Sequence, residues 1–222
     1  MQWAVSQSPV GYAEAVAAME ARVRQIKDGS AAELVWLLEH PPLYTAGTSA
    51  NARDLLNPGS LPVYKTGRGG QFTYHGPGQR VAYVMADVKN RFGNDVRAFT
   101  ASLETWIIGA LATLGIAGST IAGQTGVWIY GDTAKDIRKA SKIAAIGLRV
   151  RHGISFHGVS INVNPNLDHY QGIVPCGLAG SLVTSLAELG CNAPLSTVDQ
   201  ALRSAFIAQF GGQLNPAPAP VF

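Results

Sequence analysis

The chain is short of cysteine, of charge and of long apolar runs. Its 222 residues include two cysteines, Cys176 and Cys191, too few for a disulfide framework at this length, so a reducing compartment is expected. Asp, Glu, Lys and Arg make up only 14% and hydrophobic residues 47%, a globular composition rather poor in charge. The net charge of +3 is mildly basic, but no stripe of Lys and Arg interleaves with aromatics, which argues against a nucleic-acid surface. The densest basic stretch, residues 135–151, is broken by apolar residues at strand spacing and would attract at most an acidic protein partner. No window approaches about 18 uninterrupted apolar residues, so no membrane span is expected. The first residues carry neither a basic n-region nor a sustained apolar h-region, which predicts a cytoplasmic protein without a signal peptide. Metal binding is not expected, because the cysteines are dispersed and no paired His or carboxylate spacing supports zinc. Gly67-Arg68-Gly69-Gly70 has glycines but lacks the Lys-Ser/Thr of a phosphate loop and the Gly-x-Gly-x-x-Gly of a dinucleotide site. No internal repeat is present.

What is there is organised around residues 67–79, GRGGQFTYHGPGQ, in which five of thirteen residues are glycine. Glycine clusters mark unusual dihedrals or a place where something approaches the backbone closely. Arg68, Gln71, Thr73, Tyr74 and His75, set among them, would be directional groups around whatever approaches, although two tight turns flanking a short strand would also explain the glycines.

The rest of the chain reads as one catalytic domain, residues 1–211, with a Pro-rich, weakly ordered tail at 212–222. Ser8-Pro9 suggests the start of a helix whose apolar face is Tyr12, Val16, Met19, Val23 and Ile26 and whose stop is Gly29. Residues 33–38 form a near-continuous apolar run of strand length, ended by Pro41-Pro42. Residues 43–62 read as a polar connection, followed by short strands at Val63–Lys65 and 81–87. A long helix ending before Gly115 carries Phe99, Leu103, Trp106, Ile107, Ala110, Leu111 and Leu114 on one face. Strands are expected at 126–130, 142–150 and 155–163, the last two joined by a turn at Arg151-His152-Gly153. Residues 167–180 look irregular. A final helix opens at Ser196-Thr197, where Thr197 and Gln200 fit a capping box. Helices before and after a block of strands predict an α+β arrangement, a mixed, largely antiparallel sheet flanked by helices.

Four residues stand out chemically. Cys176 lies in Pro175-Cys176-Gly177, a turn context that would lift a thiol out of a packed core, although a free cysteine is often a small buried hydrophobe. Cys191 has no polar constellation and reads as structural. A thiol needs a nearby cation or base to ionise at neutral pH, and Lys142, His75 and His157 are candidates. Lys142 sits in an apolar strand and is either on its polar face or buried and paired; His157 is equally a possible core histidine.

Taken together, residues 68–79, Lys142 to Gly147 (KIAAIG), Ser155-Phe156-His157-Gly158 and Pro175-Cys176-Gly177 resemble the bacterial lipoyl(octanoyl) transferases. Glu39-His40-Pro41-Pro42, Tyr44-Thr45 and Gly126-Val127-Trp128 fit the same pattern. The resemblance implies a fold like that of biotin and lipoate protein ligases, and transfer of an octanoyl group from acyl carrier protein to a lysine of a lipoyl domain. The donor would be octanoyl-acyl carrier protein; the acceptors would be lipoyl domains of 2-oxoacid dehydrogenase E2 subunits and the glycine cleavage H protein. By position, Cys176 would be the nucleophile that becomes an acyl thioester, and Lys142 would lower its pKa and handle protons. Arg68, Gly69, Gly70, Gln71, Phe72, Thr73, Tyr74 and His75, with Ala145, Ile146, Gly147, Gly158, Val159 and Ser160, would line the acyl site. Phe72 stands where the family more often has Val or Ile, which would tighten that wall. The family implies a monomer and no cofactor.

The implied chemistry agrees with the residues. Thioester exchange is close to isoenergetic, so no ATP is needed, which suits the missing phosphate loop, and a thiolate is both a good nucleophile and a good leaving group. Backbone N–H groups near the Cys176 turn or in the glycine stretch would hold the oxyanion. The rival readings are an ATP-dependent lipoate or biotin ligase, a Cys–His thioesterase-like hydrolase using His157 or His75, and a non-catalytic acyl-binding module.

Overall fold

Apolar strands buried on both faces set the middle of the molecule. The computed structural model describes residues 1–131, 139–175 and 182–222. In chain order these form β1 (Gln2–Val5), α1 (Tyr12–Asp28), β2 (Leu34–Leu38), β3 (Leu43–Ala46), β4 (Val63–Lys65), β5 (Phe72–His75), β6 (Gln79–Met85), α2 (Val88–Phe92), α3 (Val96–Thr113), β7 (Ser119–Ile121), β8 (Gln124–Tyr130), β9 (Ala140–Arg151), β10 (Ile154–Asn162), β11 (Leu182–Val183), α4 (Leu195–Phe210) and β12 (Asn215–Pro216). Among the described residues a nine-stranded sheet runs β12-β1-β2-β6-β10-β9-β8-β7, with β11 pairing β9, and a three-stranded sheet runs β4-β3-β5. In the large sheet β1 is parallel to β2 and to β12, and β11 to β9; its other pairings are antiparallel. The expected mixed, largely antiparallel sheet with flanking helices is therefore the fold.

Strand alternation explains the layers. Val35 and Leu37 of β2, with Ala82 and Val84 of β6, face the core that α3 and α4 cover with Phe99, Leu103, Trp106, Leu202 and Phe206. Leu34, Trp36 and Leu38, with Val81, Tyr83 and Met85, face the opposite core, covered by Ala15, Met19 and Val23 of α1. A third cluster, Tyr44, Phe72, Tyr74, Tyr170 and Ile173, ties the small sheet to the 3-10 turn at Leu167–Gly172. Among the described residues no helix is long and apolar enough to cross a membrane.

Several local expectations shift. The first helix begins at Tyr12 behind Gly11, with Ser8-Pro9 ahead of it, and stops at Gly29 in the left-handed region. Residues 43–62 are not a plain loop: Leu43–Ala46 is a fully buried strand between β4 and β5. The capping box at Thr197 and Gln200 does not form; α4 starts at Leu195 after Pro194, without a side-chain cap. The β9–β10 turn has φ of 55° at His152 and 83° at Gly153, the paired left-handed residues of a tight hairpin. Within the stretch read as irregular, Leu167–Gly172 is 3-10, and residues 176–180 lie outside the described residues. Within the tail at 212–222, Asn215–Pro216 form β12 at the edge of β1, and Leu214 before them is buried.

Candidate active site

The glycine stretch becomes a wall because Arg68 folds it back onto the chain. Arg68 is buried, and its guanidinium donates to the Thr45 carbonyl at 2.8 Å, to Thr45 Oγ1 at 2.7 and 3.1 Å, to the Gln71 carbonyl at 2.7 Å and to the Gly69 carbonyl at 2.9 Å. An Arg fork holding backbone carbonyls organises a turn, so these donors shape the wall rather than point at a ligand. Gly69 N–H donates to the Leu148 carbonyl at 2.8 Å, docking the turn onto β9.

Between this wall and the large sheet lies a cavity of about 260 Å³. That is close to the ~300 Å³ lower end of small-molecule pockets and suits a slim ligand. Of the residues expected there, Arg68, Gly70, Gln71, Phe72, Thr73 and His75 line it from the glycine side. Ala145, Ile146 and Gly147 of β9 and His157, Gly158, Val159 and Ser160 of β10 line it from the sheet, with Lys142. Two expected residues do not line it. Gly69 is the docking point on Leu148, and the Tyr74 ring packs away from the cavity, edge-on to Tyr44 and Tyr170. Along β5, Thr73 and His75 alternate with Tyr74 and take the cavity face, while Phe72 at the strand's start belongs to the Tyr74 cluster and also borders the cavity. Gly158 has a steric reason to be glycine, since a Cβ would collide with the Ala82 carbonyl of β6.

Lys142 resolves one open alternative: at 7% exposure it is buried, not on a solvated face. Its Nζ donates to the Thr125 carbonyl at 3.0 Å and lies 4.5 Å from the centre of the Trp128 ring, an acceptor and an aromatic face that satisfy a buried amine. Gly126, at φ 123°, makes this possible, because a Cβ there would sit 3.3 Å from Lys142 Cε and 2.6 Å from the Ala144 carbonyl. Lys142, Thr73 and Ala145 also border a second, smaller crevice with Pro175 and Val183. Cys176 lies outside the described residues; Pro175 before it lines the same small crevice as Lys142, and Val183 after it is the parallel strand partner of Lys142.

Three histidines are buried at the cavity: His75 and His157 line it, and His40 packs against His75. His157 has φ 64°, a left-handed strand residue that breaks the alternation with Val159 and Ile161 and meets Tyr83, ring centres 6.1 Å apart. Burial above all pushes His157 down to about 3, helped by Arg68 and Arg149. Burial pushes His40 down to about 4 against the Val10 carbonyl, which its Nδ1 meets at 2.7 Å. His75 falls well below its ordinary value through burial and then the nearby His40, with Gln79 opposing. All three are neutral near pH 7, so this cluster adds no charge beside the Arg68 guanidinium.

Sequence reasoning did not single out Tyr12, Val81, Tyr83, Gly123, Gln124 and Thr125, which also line the cavity. Tyr83 had a signal, a phenol inside an otherwise apolar strand. Tyr12 had none, since at the first turn of an amphipathic helix it reads as core.

The profile of the lipoyl protein ligase A/B catalytic domain matches residues 11–207. In fold, the chain is similar to lipoate-protein ligase A bound with ATP, with a TM-score of 0.75 at 14% identity over 99% of this chain and 90% of that one. A bi-partite lipoate protein ligase from Thermoplasma acidophilum gives the same TM-score and identity over 99% of this chain and 87% of that one. This is the class that fold and site define. Within it, the chain is 57% identical over 219 residues to an octanoyltransferase of Caulobacter vibrioides, covering 99% of this chain and 96% of the relative. An octanoyltransferase of Paramagnetospirillum magneticum is 54% identical over 211 residues, 95% and 97% of the two chains. The chain belongs to the octanoyltransferase family of lipoate-ligase-like proteins, and is an acyltransferase.

Proposed function

We propose that the protein transfers an octanoyl group from octanoyl-acyl carrier protein to a lysine of lipoyl domains through a Cys176 thioester. The carrying observation is that the chain on both sides of residues 176–181 runs beside the buried, cavity-lining Lys142. Pro175 shares a crevice with Lys142, and Val183 pairs with it. Peptide geometry then keeps the Cys176 backbone within about 4 Å of Pro175.

In the first half-reaction the Cys176 thiolate attacks the thioester carbonyl. The tetrahedral adduct collapses, the carrier's phosphopantetheine sulfur leaves with a proton from Lys142, which is thereby left neutral, and the acyl chain lies along Phe72, Val81, Ile146 and Val159. In the second, the acceptor lysine amine attacks the new thioester, its proton passes to Lys142, and the Cys176 sulfur leaves as amide forms. One thioester is exchanged for another and then for an amide, so neither step needs ATP. Cytoplasmic location and a monomeric enzyme complete the reading.

Intact-mass spectrometry after mixing with octanoyl-acyl carrier protein tests it. A single octanoyl adduct, absent from Cys176→Ala and formed without ATP, is expected. Strict ATP dependence would return the protein to the ligases, and undiminished transfer by Cys176→Ala would remove the covalent step.

A further inference from the structure

Gln79 closes the glycine stretch and is completely buried, at 0% exposure. Its Nε2 lies 3.1 Å from the Tyr74 carbonyl, 2.9 Å from Asn162 Oδ1 and 3.0 Å from the Tyr170 hydroxyl, and its Oε1 lies 2.6 Å from His75 Nδ1. Only one orientation of the amides satisfies these contacts. The Thr184 carbonyl can only accept, so Asn162 turns its Nδ2 to it, at 3.0 Å, and its Oδ1 to Gln79. Gln79 must then present nitrogen to Asn162 and oxygen to His75. His75 Nδ1 therefore carries the proton, and its ring is neutral with the lone pair on Nε2.

The same amide is the hub of a route to Lys142. From Gln79 the bonds run through Asn162 to the Thr184 carbonyl, and Thr184 N–H donates to the Lys142 carbonyl at 3.0 Å. A branch holds Tyr170, whose hydroxyl also donates to Asn162 Oδ1 at 3.2 Å, in the 3-10 turn that leads to Pro175. One side chain thus fastens four pieces of the site: the cavity-lining His75, the backbone of Lys142, and both flanks of residues 176–181.

We propose that Gln79 is a positioning residue for the transfer reaction, coupling the glycine wall to Lys142 through Asn162 and Thr184. The inference rests on the thioester reading above. It assigns Gln79 no contact with substrate, since Gln79 does not line the cavity. Misplacement by about 1 Å costs roughly 10²-fold in a pre-organised site, so loss of the hub slows chemistry more than binding.

The test is single-turnover acylation by octanoyl-acyl carrier protein, with Gln79→Met as a near-isosteric variant lacking the amide. Expected are a folded protein by circular dichroism, a donor KM within about threefold of wild type, and an acylation rate reduced roughly 10- to 100-fold. In a cycle with Asn162→Leu, the double variant should be no more than about twofold slower than the slower single one, since both cut one route. A wild-type rate, a change in KM alone, or losses that simply multiply would overturn the proposal. Should Gln79→Met fail to fold, Tyr170→Phe decides: a loss of about threefold or more at unchanged KM supports it, and a wild-type rate overturns it. Cys176→Ala, run alongside, separates the two readings. Transfer by that variant sinks the nucleophile; an inert Cys176→Ala beside a fully active Gln79→Met sinks only the hub.

Discussion

Lys142 rests on the Thr125 carbonyl and the Trp128 ring, contacts that hold the amine beside the cavity. Replacing it with Met keeps the buried stem and removes the group that would move protons. Transfer by Lys142→Met is expected to fall roughly 10²- to 10⁴-fold at nearly unchanged thermal stability. Lys142→Arg does not restore it, because a guanidinium stays protonated. Transfer within tenfold of wild type by Lys142→Met would remove the proton-handling role. Gly126 gives a second residue-level expectation. Its φ of 123°, and the Ala144 carbonyl only 2.6 Å from where a Cβ would stand, leave Gly126→Ala no relaxed solution. The loss should exceed about 2 kcal/mol, or roughly 4–8 °C in Tm for a domain of this size. Gly123→Ala is the control. At φ 77° with nothing within 4 Å of the added carbon, it bears only the left-handed penalty of about 1–2 kcal/mol. Equal losses in the two variants would mean that the crowding beside Lys142 is without consequence.

At the scale of elements, a bidentate ion pair links β6 to α4. Arg80 Nε and Nη2 meet the Asp199 carboxylate at 2.8 and 3.0 Å with both side chains largely buried. Burial pushes the Asp199 carboxyl up, and Arg80 draws it back without fully compensating. Such a pair adds little over apolar packing but is costly to break from one side. Asp199→Ala strands a buried guanidinium and is expected to cost about 3–5 kcal/mol in urea unfolding at an unchanged m-value. A change below about 1 kcal/mol would show that water reaches Arg80. This pair was not legible in the sequence, because nothing local connects residues 80 and 199. Elements with a full period were legible: the all-buried β2, and the helical faces of α1 and α3. Strand β3 was masked by Pro41-Pro42 ahead of it and by polar Thr45 within it, whose hydroxyl and carbonyl are taken by Arg68. The capping motif at Thr197 failed because Pro194 already starts the helix one turn earlier. In the site, glycine spacing pointed to the cavity wall. Strand periodicity could not say which face Lys142 takes, and the Arg68 clamp depends on β3, whose strand character the sequence hid.

For the whole molecule, the cluster of buried histidines at the cavity is also an acid-labile centre. His40 follows β2, His75 ends β5 and His157 lies in β10, so their burial exists only when the two sheets and α1 are assembled. Their rings meet Tyr12 and Tyr83, and the charged groups facing them are Arg68 and Arg149, which further disfavour imidazolium. Folding lowers all three from the ordinary value of 6.5, His40 to about 4 and His157 to about 3. Above about pH 6.5 both folded and unfolded forms hold these histidines neutral, and stability from this source is complete. As pH falls below that, the unfolded chain binds protons that the folded chain refuses, so stability drops until the folded values are reached. Each histidine contributes a slope of up to about 1.4 kcal/mol per pH unit, and three together about 4. Against a total stability of about 5–15 kcal/mol, the chain is expected to unfold cooperatively between roughly pH 5.5 and 4. His75→Gln, which keeps a neutral polar group but no titration, should move the acid midpoint downward even if it lowers stability at pH 7. Circular dichroism across pH 7 to 3 reads both. An acid midpoint below pH 3.5, or one that His75→Gln leaves in place, would mean that the three rings take up protons within the folded protein.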